Sequence, residues 1–157
     1  MDQMIHALNA AKPAVFALMD YWTFDGWFAL QRRLRDADAP TLTKTIFPGI
    51  ELRLAAPMKG RLNAHVLFSD QVQDEVLRGF LSNLTLKLAN RPLSDAALID
   101  LARNHVGEAK LVHHGFKKAE VHADDAKAFL VGAGIAGLNC ESYRDAIAKV
   151  PDEQAIG

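Results

Sequence analysis

The chain has 157 residues, a length that fits one domain with a buried core. Half of it is hydrophobic and 24% is charged, and a net charge of -1 excludes a strong non-specific attraction to nucleic acid or anionic membranes. A single cysteine excludes an internal disulfide and a thiolate-rich zinc site, and no apolar run approaches the ~18 residues of a membrane helix. We therefore expect a soluble cytoplasmic protein, in which Cys140 is a buried or half-buried residue rather than a nucleophile.

The amino-terminal part of the chain predicts a helix, a strand and a second helix. Residues 2–11 carry apolar side chains at helical spacing before Pro13. Residues 14–20, "AVFALMD", are a continuous apolar run typical of a strand buried on both faces. Residues 23–37 predict a helix in which Thr23 is the N-cap residue. The residues expected to point inward are Trp27, Leu30 and Leu34. The residues expected to face solvent are Arg32, Arg33 and Arg35.

Two further strands and then only helices are predicted. The strands are residues 44–54, interrupted at Pro48-Gly49, and residues 61–69, "RLNAHVLFS". The predicted helices cover residues 73–88, 94–106, 123–133 and 142–150, with Ser94 as the cap of the second. This order indicates an α/β fold, in which ligands bind at the carboxyl ends of strands. We predict a single domain over residues 1–157, with the strands in 1–90 and a mainly helical part in 91–157.

The stretch "VGAGIAGL" at residues 131–138 has the glycine spacing of a dinucleotide-binding turn, with Gly132, Gly134 and Gly137. Such a turn needs a strand before it and a helix after it. The preceding "ADDAKAFLV" instead has helix-cap charges and helical apolar spacing. The favoured interpretation is a helix end and turn that binds no dinucleotide. A flavin or nicotinamide oxidoreductase is the weaker alternative.

A better candidate site consists of polar residues at or near the ends of the three predicted strands. These are Asp20, Glu51 and His65, with Asp25 in the turn after the first strand. Carboxylates and an imidazole on adjacent strands suit Mn²⁺, Zn²⁺ or Fe. The alternative interpretation is a strand-end aspartate that caps a helix, a salt-bridged glutamate and a histidine satisfied in the core.

The same three strands resemble the PHP (polymerase and histidinol phosphatase) family of metallophosphoesterases. "FALMDYWTFDG" is similar to the family's motif of an apolar strand, Thr-Asp-His and a turn to Asp-Gly. "FPGIEL" and "LNAHVLFS" resemble the following strands, whose glutamate and histidine bind metal. The variant with Asp-Tyr looks most like the PHP domain of large bacterial ATPase proteins thought to act on DNA or in phage defence.

The resemblance implies that Glu51 and His65 are metal ligands and that Asp20 is a catalytic residue beside them. Its implied fold is a partial (β/α) barrel of PHP type, with few strands followed by a helical region. Two departures stand out: Tyr21 occupies the place of a frequent histidine ligand, and no His-x-His pair is present. The implied metal is Mn, Zn or Fe, and it need not be retained.

We expect part of a metal-dependent phosphoesterase, inactive alone, whose substrate is a phosphoester such as nucleic acid and whose partner is the remainder of a larger PHP-ATPase. A non-catalytic interaction or regulatory module with a degenerate metal site is the alternative. An apolar strand edge at residues 14–19 predicts self-association or marginal stability. The one remaining histidine cluster, in "KLVHHGFKKAEVH" at residues 110–122, is interpreted as part of a solvated basic loop.

Overall fold

The computed structural model describes residues 1–56 and 62–156, and this part of the chain is mixed α/β. Predicted strand residue Arg61 lies outside the described residues. In chain order the elements are α1 (Asp2–Ala10), β1 (Val15–Tyr21), α2 (Asp25–Leu34), β2 (Thr45–Leu54), β3 (Leu62–Phe68), α3 (Asp74–Asn83), β4 (Thr85–Leu86), β5 (Arg91–Pro92), α4 (Asp95–Asn104), α5 (Glu108–His113), α6 (Lys118–Ala123), α7 (Asp125–Ile135), α8 (Cys140–Ala148) and β6 (Ala155–Ile156). Over the described residues the main sheet is open and has the order β1-β2-β3-β6, so it forms no closed barrel there.

The chain divides into two compact units, each assembled from separated stretches. The first consists of Met1–Leu52, Ala64–Leu77 and Val150–Gly157. The second consists of Arg53–Asn63 and Arg78–Lys149. The candidate residues Asp20, Glu51 and His65 therefore all belong to the first unit.

The sheet of the first unit is mixed, since β1 pairs in parallel with β2 and β3 pairs antiparallel with β6. Val15 lies opposite Thr45 and Tyr21 opposite Glu51, which fixes the faces because in-register partners point to the same side. One side, which we call the covered face, packs against the first two helices. There, Met4 and Leu8 of α1 and Leu30 of α2 line a cavity of about 60 Å³ together with Phe16, Leu18 and Ile46.

The other side of this sheet, which we call the open face, carries Val15, Ala17, Met19, Tyr21, Phe47, Gly49, Glu51, His65, Leu67 and Ile156. Val15 is 54% exposed and Met19 is 40% exposed. The prediction that residues 14–20 are buried on both faces is therefore wrong. The reason is topological: β1 is an edge strand of a sheet with helices against one side, so its alternate side chains face solvent.

Strand β2 runs without a break through Pro48-Gly49, where an interruption was predicted. The Thr45 N–H donates to Ala14 and the Glu51 C=O accepts from Trp22, so odd-numbered residues of β2 form the ladder with β1. Pro48 is even-numbered, and its missing N–H does not affect that ladder. Gly49 is needed for packing, because a Cβ there would collide with Met19 Sδ and approach Leu67 Cδ2 at 2.9 Å.

The helix α2 begins one residue later than predicted, and Thr23 is not its N-cap. Phe24 occupies that position, while the Thr23 hydroxyl accepts a hydrogen bond from the Asp25 N–H at 3.3 Å. Trp27 and Leu30 are buried as predicted. Arg33 is not simply solvated, since it forms ion pairs with Asp2 at 2.7 Å, Asp36 at 3.1 Å and Asp38 at 2.7 Å. These carboxylates raise the pKa of Arg33.

In the second unit, the prediction of helices alone after the third strand is wrong. Helix α3 ends at Asn83, and the short strands β4 and β5 pair antiparallel immediately after it. The predicted basic loop is also wrong, because residues 110–122 lie largely in α5 and α6. Leu111 and Val121 supply the reason, since both are buried in an apolar cluster with Ala102, Ala128 and Val131.

The glycine stretch is the end of α7 followed by a turn, as the favoured interpretation predicted. Gly132 and Gly134 lie within the helix rather than in a loop after a strand. A Cβ on Gly132 would collide with the backbone carbonyl of Leu98, so this glycine allows α7 to pack closely on α4. Gly134 offers its carbonyl to the Arg53 guanidinium. Helix packing therefore accounts for Gly132.

Candidate functional site

Glu51 and His65 lie together on the open face, as predicted. The distance between Glu51 Oε2 and His65 Nε2 is 3.4 Å. The side chain of His65 is 60% exposed and that of Glu51 is 35% exposed, so an ion could reach both. The expected reason for their proximity is wrong, because neither residue ends its strand: both lie within the strands, which are neighbours in the sheet.

Asp20 does not join this pair. It lies opposite Ile50, which is fully buried, whereas Glu51 is the next residue and points to the other side. The Asp20 carboxylate instead accepts a hydrogen bond from the Trp27 N–H at 3.1 Å. It therefore satisfies a backbone donor in the first turn of α2, as the helix-capping alternative predicted. The expectation that Asp20 lies beside Glu51 and His65 is corrected.

Burial sets the electrostatics of Asp20. It raises the pKa of this carboxyl above its ordinary value of 3.8, while hydrogen bonds from the backbone of Trp27 and Gly26 oppose the rise. Gly26 fits closely, because a Cβ there would collide with the Asp20 carboxylate. The start of α2 therefore favours the negatively charged form of Asp20, whereas burial disfavours it.

The donor set on the open face is small. Over residues 1–56 and 62–156, no cluster of three or more His, Cys, Asp or Glu side chains could hold a metal ion. Tyr21 is the in-register neighbour of Glu51 and so points to the same face. Asp25 is exposed in the first turn of α2. The pair Glu51–His65 is what the structure retains of the predicted constellation.

Two other sets of reactive side chains lie in the second unit. The rings of His113 and His114 stand perpendicular, with their centroids 5.7 Å apart. Cys140 is exposed at the start of α8, where a buried or half-buried position was expected. Both belong to helix ends rather than to strand ends.

A polar cleft in the first unit was not predicted from the sequence. It has a volume of about 470 Å³ and is lined by Trp27, Gln31, Arg35, Asp70, Gln71, Val72, Gln73, Asp74 and Glu75. From the sequence, only the helix over residues 73–88 was predicted next to this segment. In the structure this segment turns through a Val72 N–H to Ser69 C=O hydrogen bond before α3 begins. A run of polar residues before a helix has the same sequence pattern whether it lines a cleft or forms an ordinary loop, so the cleft could not be predicted.

Known proteins offer no further guidance to this site. No protein-family model, curated protein or solved structure matches the chain. None of the helices in the described part of the chain is long and apolar enough to cross a membrane. The residues of the open face are therefore the basis for assigning a function.

Proposed function

We propose that the chain is a PHP-type metal-binding module in which Glu51 and His65 bind one divalent cation. The proposal includes the partial (β/α) barrel of PHP type implied by the sequence resemblance. The observation that carries it is the 3.4 Å separation of Glu51 Oε2 and His65 Nε2 on an accessible face. The resemblance of "FPGIEL" and "LNAHVLFS" to metal-binding strands supports the same two residues.

The chemistry of the pair fits a cation of the Mn, Zn or Fe type. These metals accept one carboxylate oxygen and one imidazole nitrogen together. Two atoms that share a tetrahedral ion at ~2.1 Å lie ~3.4 Å apart, so the observed separation needs no rearrangement. Two protein ligands are fewer than the three of a catalytic zinc site, and we therefore expect weak binding.

A cation held by this pair would supply charge stabilisation to a phosphoryl oxygen and a lower pKa to bound water. The chain's own residues would only hold the ion and leave one side of it accessible. Asp20 lies across the sheet and supplies no proton or ligand there. We therefore propose that the chain alone does not hydrolyse phosphoesters, and that the ligands for catalysis would come from a larger protein.

Calorimetric titration with Mn²⁺ and with Zn²⁺ tests the metal site. We expect weak binding with one ion per chain, lost in Glu51→Gln and in His65→Ala. His122→Ala is the matched control, because His122 is exposed on α6 and should leave binding unchanged. Binding that survives both site variants, or no binding at millimolar metal, would contradict the proposal. A nitrophenyl phosphodiester and single-stranded DNA with Mn²⁺ should remain uncleaved.

The open face supports a second candidate, a non-catalytic interaction module that self-associates. Val15, Met19, Leu67 and Ile156 are exposed apolar residues on this one face. An exposed apolar face of this kind is typical of protein interaction sites. A net charge of -1 gives little repulsion between two copies of the chain.

A further inference from the structure

We propose that two copies of this chain join through the outer edge of β1 as an antiparallel, two-fold symmetric pair. This inference rests on the second proposed function and does not depend on metal binding. The strand is at one end of the sheet order, so one of its edges faces away from β2. Edge strands with free backbone groups are templates for a further strand.

The hydrogen-bond pattern identifies the residues of this outer edge. Ala14 accepts from the Thr45 N–H, and Trp22 donates to the Glu51 C=O, so even-numbered residues face β2. The N–H and C=O groups of the odd-numbered residues Val15, Ala17, Met19 and Tyr21 therefore point outward. Within residues 1–56 and 62–156, those of Val15, Ala17 and Met19 have no hydrogen-bond partner.

Natural edge strands usually carry a charge or a proline that prevents pairing. Here, no charged residue occurs between Lys12 and Asp20. Pro13 stands at an outward position just before the strand, where it removes one donor and marks the limit of pairing. Val15, Ala17 and Met19 themselves carry neither a charge nor a proline.

One register pairs Val15, Ala17 and Met19 among themselves. With the two-fold axis at Ala17, Val15 faces Met19 of the second copy and Ala17 faces its own equivalent. Each facing pair exchanges two backbone hydrogen bonds. Moving the axis to Phe16 would place Pro13, which has no N–H, opposite Met19. An axis at Leu18 would also pair Tyr21, but it would place Met19 opposite Ala17. The register centred on Ala17 is preferred because it brings the exposed side chains of Val15 and Met19 together.

The side chains also favour a second copy as the occupant. In this register the exposed Val15 and Met19 become cross-strand neighbours and cover each other on a continuous open face. Asp20 faces Ala14 of the second copy, so no like charges stand opposite each other. The joined sheet would have eight strands, four from each copy.

Analytical ultracentrifugation of the 157-residue protein tests self-association. We expect a dimer of twice the 17.2 kDa chain mass, and a monomer for Val15→Lys with an unchanged circular dichroism spectrum. Ile156→Lys is the matched control: it places the same charge on the open face, at a residue that is 79% exposed and lies on β6. This variant should remain a dimer, since its strand is not at the proposed edge.

A cysteine pair tests the register. Facing residues of a hydrogen-bonded pair have Cα atoms ~5.5 Å apart, within the range of a disulfide. In a Cys140→Ser background, Ala17→Cys should give a covalent dimer on mild oxidation, and Ala37→Cys, at another exposed alanine, should not. A monomeric wild-type protein would overturn the self-associating module itself. A dimer that persists in Val15→Lys, or that Ala17→Cys does not cross-link, would overturn the β1 pairing alone.

Discussion

The two faces of the four-stranded sheet use the same strands for different purposes. On the covered face, Ile50, Leu52, Val66 and Phe68 are buried. On the open face, their sequence neighbours Glu51, His65 and Leu67 are partly or largely exposed. The difference teaches that, along one strand, the residues of one face stabilise the fold while the alternate residues on the other face are available to bind a ligand or partner. A residue's face decides its role more strongly than its distance from the strand end.

The largest expected effect tests this division directly. Ile50→Ala should lower the free energy of unfolding by about 2–5 kcal/mol, because it removes a fully buried side chain from a packed core. Leu67→Ala on the open face should lower it by about 1 kcal/mol or less, since part of that side chain is already in water. Urea denaturation of both variants measures the comparison. Equal losses would show that the open face is as tightly packed as the covered one.

Much of the first unit could be predicted from the sequence because its local signals are strong. The helix before Pro13 and the strands around "AVFALM" and "NAHVLF" are observed. The burial of β1 could not be predicted, since an apolar run does not reveal whether its strand is central or at an edge. Strands β4 and β5 have two residues each, too few for a periodic signal.

Asp20 gives the next largest expected effect, on the covered face. Asp20→Ala should lower the free energy of unfolding by about 0.5–2 kcal/mol, because the Trp27 N–H loses its acceptor at the start of α2. Asp20→Asn is the matched control, since its amide oxygen can still accept that hydrogen bond. Thermal or urea unfolding measures both variants. If alanine and asparagine were equivalent at this position, the capping role of Asp20 would be refuted.

The pH dependence of stability provides a subtler test of the same residue. Burial raises the Asp20 pKa in the folded protein, so the folded state binds this proton more tightly than the unfolded state does. The resulting stability is fully present below the ordinary value of 3.8 and is lost as the pH rises through the raised pKa. Relative to Asp20→Asn, the wild type should therefore lose stability over that interval. A wild type that instead gains stability relative to Asp20→Asn as the pH rises would contradict the burial effect.

The candidate site was harder to predict than the strands. The closeness of Glu51 and His65 was predicted and is observed at 3.4 Å. The position of Asp20 was not, because the β1–β2 register places it opposite Ile50 rather than Glu51. A shift of one residue in register reverses the face of every side chain in a strand. Sequence spacing alone does not contain that information, and the site predicted from it therefore wrongly placed Asp20 beside Glu51 and His65.

The smallest expected effect concerns the open-face pair itself. Glu51→Gln should change the free energy of unfolding by less than about 1 kcal/mol, because partly exposed ion pairs contribute little in water. The same substitution should abolish the proposed cation binding. The pair would then contribute little to the free energy of unfolding but be required for metal binding. Urea denaturation and calorimetry on one protein preparation measure both quantities. A large stability loss in Glu51→Gln would instead make the pair a structural link between β2 and β3, and the two faces would then no longer differ in what they contribute to the fold.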